Sequence, residues 1–294
     1  MKHNMIVNKE NGVTLIELMI VLVIAAFLVA GIYSLFITQH RSYAVQDQVA
    51  GVQQDARVAL DIMARDIRMA GVQIGSGSAT GFGGIPVQGQ NYAIVSTNGG
   101  ANSADQIGVI LASEVSRVTD VAGPDVYLQD NVSVFLTNQF VVFEGMKKIY
   151  QIQQIPSLGV DLVNKKITLT EHAPTYARPT EFPGGGRIYC INPITYDING
   201  NSLRRNGQPL AGDGVTTIVE DLQFAYSNDG QNWFNTPPSG DPNMVRINII
   251  VRTAVPDPQD TSFFKPACED RLREDNFTGC RRRVYTTVVK VRNL

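Results

Sequence analysis

The apolar positions of the chain follow three successive rhythms. From Leu18 to Ile37 the sequence reads LMIVLVIAAFLVAGIYSLFI, twenty positions whose only polar side chains are the hydroxyls of Tyr33 and Ser34. Twenty helical residues rise roughly 30 Å, the thickness of a bilayer's hydrocarbon core. A soluble helix keeps a polar face and this one has none, so a membrane-spanning helix is expected over a buried core helix. From Ile37 to Ala70 the rhythm changes. Val45, Val49, Val52, Ala56, Ala59, Leu60, Met63, Ile67 and Ala70 recur at steps of three and four, while Arg57, Asp61 and Arg65 form a ladder of alternating sign elsewhere. That pattern predicts an amphipathic helix with a solvated charged face. No proline interrupts the chain before Pro86, and Gly71 is the predicted stop. One helix is therefore expected from about Val13 to Ala70, with Gly31 and Ser34 as the places where it would bend.

Residues 72–104 are rich in Gly, Ser, Asn and Thr and read as a surface connection with a short strand near Tyr92–Ser96. Beyond Asp105 the rhythm is of period two. Predicted strands are Gln106–Ala112, Val126–Gln129, Ser133–Leu136, Phe140–Glu144, Lys148–Gln153 and Lys166–Thr170. Arg187–Ile191, Ile194–Asp197, Val215–Tyr226, Val245–Val255 and Arg283–Val291 follow. Asn199-Gly200 and Asn206-Gly207 are hairpin turn signals. With no helical pattern between the strands, the sheet should be mainly antiparallel. The expected class is α+β, a long N-terminal helix on an antiparallel β head.

The chain has 294 residues and a net formal charge of -2, from 25 Lys+Arg against 27 Asp+Glu. That balance argues against a protein that binds nucleic acid by neutralising phosphates. Its length suffices for a large core, and its composition excludes disorder or a small disulfide scaffold for the whole chain. No nucleotide loop, G-x-S-x-G, H-E-x-x-H or Cys-His constellation is present, so no catalytic residue and no cofactor is expected. His3, His40 and His172 are scattered. Asp197-Ile198-Asn199-Gly200-Asn201 lacks the downstream acidic ligand of a calcium loop and reads as a turn, as does Ser227–Asn232. Trp233 and Phe234 are candidate core or contact residues, and Arg281-Arg282-Arg283 a basic strand start.

Glu17 is the anomaly. A carboxylate in an apolar helix costs on the order of 2.5–3.5 kcal/mol on insertion scales, and such residues are functional by default. Lys2 and Lys9 precede the apolar run and Arg41 follows it, so charge gives only a weak bias toward a cytoplasmic N-terminus. A secretory signal would need a small-x-small site after the run; the nearest, ending at Ala30, has Leu28 in the wrong place.

The string Gly12-Val13-Thr14-Leu15-Ile16-Glu17-Leu18-Met19-Ile20-Val21 resembles the prepilin processing motif shared by type IV pilins and type II secretion pseudopilins. The resemblance implies a leader of residues 1–12, with Met5 an alternative start to Met1 and Glu10 where basic residues are commoner. It implies that a prepilin peptidase cuts between Gly12 and Val13 and N-methylates Val13, a departure from the usual Phe. Glu17 would then meet the terminal amine of a neighbouring subunit; a charge pair within one subunit is the alternative. Gln54–Gly71 is similar to the pilin W family of minor pilins and, more distantly, to J-type minor pseudopilins, as are Glu220–Tyr226, Val245–Ile247 and Thr286–Asn293. The implied organisation is a leader (1–12), a transmembrane and filament-core helix (13–37), an amphipathic helix (38–71), a loop (72–104) and a periplasmic head (105–294). The implied role is a minor pilin, a structural subunit that primes pilus assembly, in adhesion or twitching motility. Its partners would be the peptidase, other pilins and inner-membrane lipid, and its final place an extracellular pilus. A minor pseudopilin, a membrane-anchored periplasmic enzyme or binding protein, and a tip adhesin are the alternatives. A periplasmic head permits disulfides, and Cys268 with Cys280 is the favoured pair, Cys190 with either the alternative.

Overall fold

The computed structural model describes residues 13–75, 87, 90–130, 132–133, 135–136, 138–145, 149–152, 160–162, 164–170, 185–257, 264–274 and 279–293. The chain divides into two units, Met1–Gln48 and Val49–Leu294, and helix α1 (Leu15–Arg68) contributes to both. The structure is α+β, one long helix and an otherwise antiparallel β protein. The helix runs without a break from the apolar segment into the amphipathic one. In its second part Val52, Ala56, Ala59, Leu60, Met63, Ala64 and Ile67 are buried, as is Ala70 just beyond its end, while Arg57, Asp61 and Arg65 are exposed. Gly71 takes the left-handed conformation that ends helices (φ 71°), and its N–H donates to the carbonyl of Ile110 (3.1 Å). The helix end is thus hooked onto the sheet.

Beyond the helix the strands are β1 (Ile94–Thr97), β2 (Gln106–Ala122), β3 (Asp125–Leu128), β4 (Phe140–Phe143), β5 (Ile149–Ile152), β6 (Val160–Asp161) and β7 (Lys166–Thr170). The chain continues through β8 (Arg187–Asn199), β9 (Ser202–Arg205), β10 (Gln208–Ala211), β11 (Thr217–Ser227), β12 (Met244–Thr253) and β13 (Arg282–Lys290). The first ten belong to one sheet, ordered β1-β2-β3-β7-β5-β4-β8-β9-β10 with β6 beside β7. Because β2 also pairs with β8 over Ile107–Arg117, the strands β2, β3, β7, β5, β4 and β8 close on themselves into a ring. Val118, Val126, Phe135, Val141, Phe143, Tyr150, Ile152, Ile167, Ile188 and Cys190 form the apolar cluster associated with that ring. Strands β11-β12-β13 form a second, three-stranded sheet. Leu222, Phe224, Tyr226, Val245, Ile247, Ile249, Val251, Val289 and Val291 share the main core with the second part of α1.

Several strands differ from expectation. Arg187–Ile191 and Ile194–Asp197 are one strand, β8, which passes through Pro193. The proline is tolerated because β4 pairs with β8 only up to Ile191 and β9 only from Tyr196, so one side of Pro193 has no ladder to lose. Of the expected strand Ser133–Leu136, the described residues 133, 135 and 136 are not in a strand: Phe135 donates its N–H to Val132 in a turn, and Gln139 caps the N–H of Leu136 (3.0 Å). Both hairpin signals do make turns, β8–β9 and β9–β10. Asn206 and Gly207 have φ of 52° and 76°, the two positive angles of a type I′ turn.

Three buried carboxylates stitch these layers together. Asp66 of α1 accepts from Tyr196 Oη (2.5 Å) and from Arg205 Nε and Nη2 (both 2.9 Å). Asp221 of β11 accepts from Leu222 N–H and Gln223 Nε2 on one oxygen (both 3.0 Å), and from Arg271 Nε (2.6 Å) and Lys265 Nζ (3.1 Å) on the other. Asp105 joins the start of β2 to β11, accepting the N–H groups of Gly99 (2.9 Å) and Phe224 (2.8 Å). Burial pushes the Asp105 carboxyl from the ordinary 3.8 up to about 6, against the lowering pull of those two donors. The folded state therefore holds this proton more tightly than the unfolded chain. That contribution to stability is full below about pH 4 and is lost as pH rises through about 6. In urea titrations, Asp105→Asn should gain about 2 kcal/mol relative to the native protein between pH 4 and pH 7; a difference independent of pH would refute this account.

Candidate functional site

The N-terminal unit carries the motif that the sequence singles out. Val13 and Leu15 to Phe36 expose their large apolar side chains, between 54% for Ile20 and 79% for Leu15. Helix α1 is long and apolar enough to cross a membrane. Apolar surface on this scale, at about 25 cal/mol per Å², needs hydrocarbon or other apolar helices around it. Gly12, the residue before the expected cleavage point, lies outside the described residues, and so does the leader.

Glu17 stands in the first turn of α1. Its Oε2 accepts from the backbone N–H of Thr14 (3.1 Å) and from the Thr14 hydroxyl (3.0 Å), while the Glu17 N–H donates to Thr14 Oγ1 (3.3 Å). This is the reciprocal arrangement of a capping box, with Thr14 at the N-cap and Glu17 at N3. Orphan donors at the helix start are satisfied, and the negative charge sits at the positive end of the helix dipole. The Thr-x-x-Glu spacing before an apolar run was a readable signal of this box. Thr14 is thus the residue missing from the sequence-based site. Its effect is to hold the Glu17 carboxylate at the first turn, four positions from Val13.

The cysteines do not pair as expected. Cys190, Cys268 and Cys280 are all buried thiols and no disulfide joins Cys268 to Cys280. Glu269, next to Cys268, grips Arg246 (2.7 Å) and Asn248 (2.8 Å) near the start of β12. Cys280 accepts from Arg252 Nη1 (3.3 Å) near its end. Cys190 is in β8, within the apolar cluster of the closed ring. Burial pushes the Cys190 and Cys268 thiols up to about 12.

Other candidates resolve into structure. Asn199-Gly200 and its neighbours make the β8–β9 turn. Asp229 accepts the N–H groups of Gln231 and Asn232 (both 2.8 Å), which closes a turn and holds its carboxyl well below the usual range. Trp233 lies under Arg246, 4.4 Å from the guanidinium, and Phe234 is exposed. Arg282 forms a two-pronged pair with Glu220 (2.7 and 2.9 Å), and Arg281 pairs with Asp257 (2.9 Å). His172 and His3 lie outside the described residues.

A family model described as the prokaryotic N-terminal methylation motif matches residues 7–33. No curated protein matches the chain. Among solved structures the chain is similar to a type IV-like pilin from Thermus thermophilus, with a TM-score of 0.42 and 13% identity over 82% of this chain and 96% of that one.

Alkylation of the unreduced, unfolded protein should label three cysteines by mass; a count of one would mean that a disulfide forms in the cell. The N-terminal segment carries the prokaryotic N-terminal methylation motif, and that motif leads into a bare apolar helix.

Proposed function

We propose that this chain is a minor type IV pilin, a structural subunit that helps prime pilus assembly. The observation that carries the reading is the coincidence of the methylation motif over residues 7–33 with a helix whose apolar side chains are exposed all round. In this reading prepilin peptidase cuts between Gly12 and Val13 and methylates the new amine. The protein waits in the inner membrane as a single span with its β head in the periplasm, and then enters an extracellular filament as its first helix joins those of other pilins.

The charge chemistry supports that sequence of events. Cleavage creates a cation at Val13, four residues from the Glu17 carboxylate. Each charge needs a partner in apolar surroundings. Thr14 contacts only Oε2 of Glu17 in the bonds that form the capping box, so the carboxylate retains an oxygen for a second donor. Pairing with the amine of the neighbouring subunit would fix the axial register between helices. A minor pseudopilin of a type II secretion system uses the same chemistry and is the second reading; loss of enzyme export rather than of twitching on deletion would favour it.

N-terminal sequencing and mass analysis of the mature protein should give a chain that begins with methylated Val13. A mature protein that retains residues 1–12, or that starts beyond Ala30, would overturn the pilin reading. Glu17→Ala should leave the protein in the membrane and cut its incorporation into filaments at least tenfold, and Glu17→Asp should restore part of it. Normal incorporation of Glu17→Ala would reduce the first helix to a plain anchor.

A further inference from the structure

Among the described strands, most sheet edges are closed, short or covered. The ring β2, β3, β7, β5, β4, β8 closes on itself. At the ends of the first sheet, β1 and β10 are four residues each. The first N–H of β1 is taken by Asp241 (2.9 Å), and β10 contains Pro209. In the second sheet the outer edge of β11 is covered: Val219 N–H donates to Asn201 (3.0 Å), Asp105 N–H to the carbonyl of Leu222 (2.8 Å), and Tyr226 pairs with Phe234. Strand β13 is different. It is nine residues long, reads RRVYTTVVK, and pairs only with β12 among the described strands.

The register shows which groups face the open side. Thr253 N–H donates to the carbonyl of Arg281 (3.1 Å), and Val291 N–H to that of Asn243 (2.9 Å), at the two ends of the β12–β13 ladder. Hydrogen-bonded and non-hydrogen-bonded pairs alternate in an antiparallel ladder. The two ends set the same alternation. Arg283, Tyr285, Thr287 and Val289 bond to β12, opposite Val251, Ile249, Ile247 and Val245. Arg282, Val284, Thr286, Val288 and Lys290 then turn their N–H and C=O groups away from β12. Val284 (36%) and Val288 (51%) are exposed at that edge. A long, β-branched, open edge is a template for another strand.

The charges around the edge select the occupant. Arg283 and Lys290 bracket the apolar stretch and Arg292 follows it; none of the three pairs with a carboxylate among the described residues. A second copy adding its own β13 antiparallel would bring Arg283 to the end that carries Lys290 and Arg292, like charge against like charge at both ends, since Arg282 is already held by Glu220. An acidic-ended strand meets the same ends favourably. We propose that the open edge of β13 accepts, by strand addition, an extended segment of a different polypeptide whose β-branched centre is flanked by acidic residues. Main-chain bonds to Val284, Thr286 and Val288 supply affinity, and the basic ends supply selectivity. This inference does not rest on the filament reading.

The test uses the full-length protein in detergent micelles and two synthetic peptides with the centre Val-Thr-Val-Thr-Val, one ended by pairs of Asp and the other by pairs of Lys. The Asp-ended peptide should bind at least tenfold more tightly by fluorescence anisotropy, and less so in high salt. It should slow hydrogen exchange at the amides of Val284, Thr286 and Val288. Val288→Pro removes one outward N–H and leaves the β12 ladder intact, so binding should fall at least tenfold with the circular dichroism unchanged. Val284→Pro applies the same test if the first variant fails to fold. Equal binding of both peptides, binding of neither, or protection only outside β13 would overturn the proposal. Protection of the same amides that rises with protein concentration, without peptide, would assign the edge to a second copy and overturn the heterologous partner.

Discussion

A helix that is apolar on every side cannot be left in water, and the first part of α1 is such a helix. Seventeen large side chains from Val13 to Phe36, each exposed over more than half of its surface, represent a hydrophobic cost far beyond the few kcal/mol by which a domain is stable. Only hydrocarbon or a bundle of similar helices removes that cost. The two surroundings are nearly equivalent in polarity, so a helix can exchange one for the other without a large transfer penalty. What must differ between them is the fate of the polar groups, and this segment's first turn concentrates those groups in Thr14 and Glu17.

The capping box gives that first turn a defined geometry before any partner arrives. A capping interaction contributes about 0.5–2 kcal/mol, enough to hold the first turn but small beside the demand of a charge in apolar surroundings. Thr14 therefore orients the carboxylate without satisfying it. The intrasubunit alternative, in which Glu17 is fully served by its own chain, would have to involve the Val13 amine as well as Thr14. The two arrangements make the same use of the helix dipole and differ only in which subunit supplies the cation.

Much of this organisation was legible in the residues, for identifiable reasons. The apolar run and the three-four stripe are local periodicities, and Gly71 and Asn206-Gly207 mark backbone angles that few other residues adopt. The Thr-x-x-Glu box was equally local and was missed because the processing motif claims the same residues. What local pattern cannot supply is pairing between strands distant in sequence. Nothing in Gln106–Ala112 says that the strand continues to Ala122 and closes a ring with β8. Asp66 stood within a helix whose other charges are solvated, and its burial depends on Tyr196 and Arg205, 130 and 139 positions away. The structure joins no pair of the three cysteines, and spacing alone does not decide such a pairing, for a related reason. Sequence spacing placed Cys268 and Cys280 close together, but the Glu269 contacts draw one of them toward the start of β12 and the Arg252 contact ties the other to its end.

Buried ion pairs give less net stability than their Coulomb attraction suggests, because both partners lose water. Their placement here indicates another use. Asp221 binds Lys265 and Arg271, and Arg271 also reaches the carbonyl of Ala101 (2.9 Å), so three chain segments far apart in sequence meet at one carboxylate. A hydrophobic contact of equal area would tolerate several registers of the 264–274 segment on the sheet; a carboxylate with all four donors in place tolerates one. The same segment carries Glu269, which fixes Arg246 and Asn248 of β12, and Asn248 in turn accepts the hydroxyl of Thr286 on β13 (2.7 Å). The polar network thus extends to the last strand. Register is weakly specified where a strand has no buried face, and a hydrogen bond from Thr286 to a side chain already fixed by Glu269 is one contact that a slipped β13 would lose.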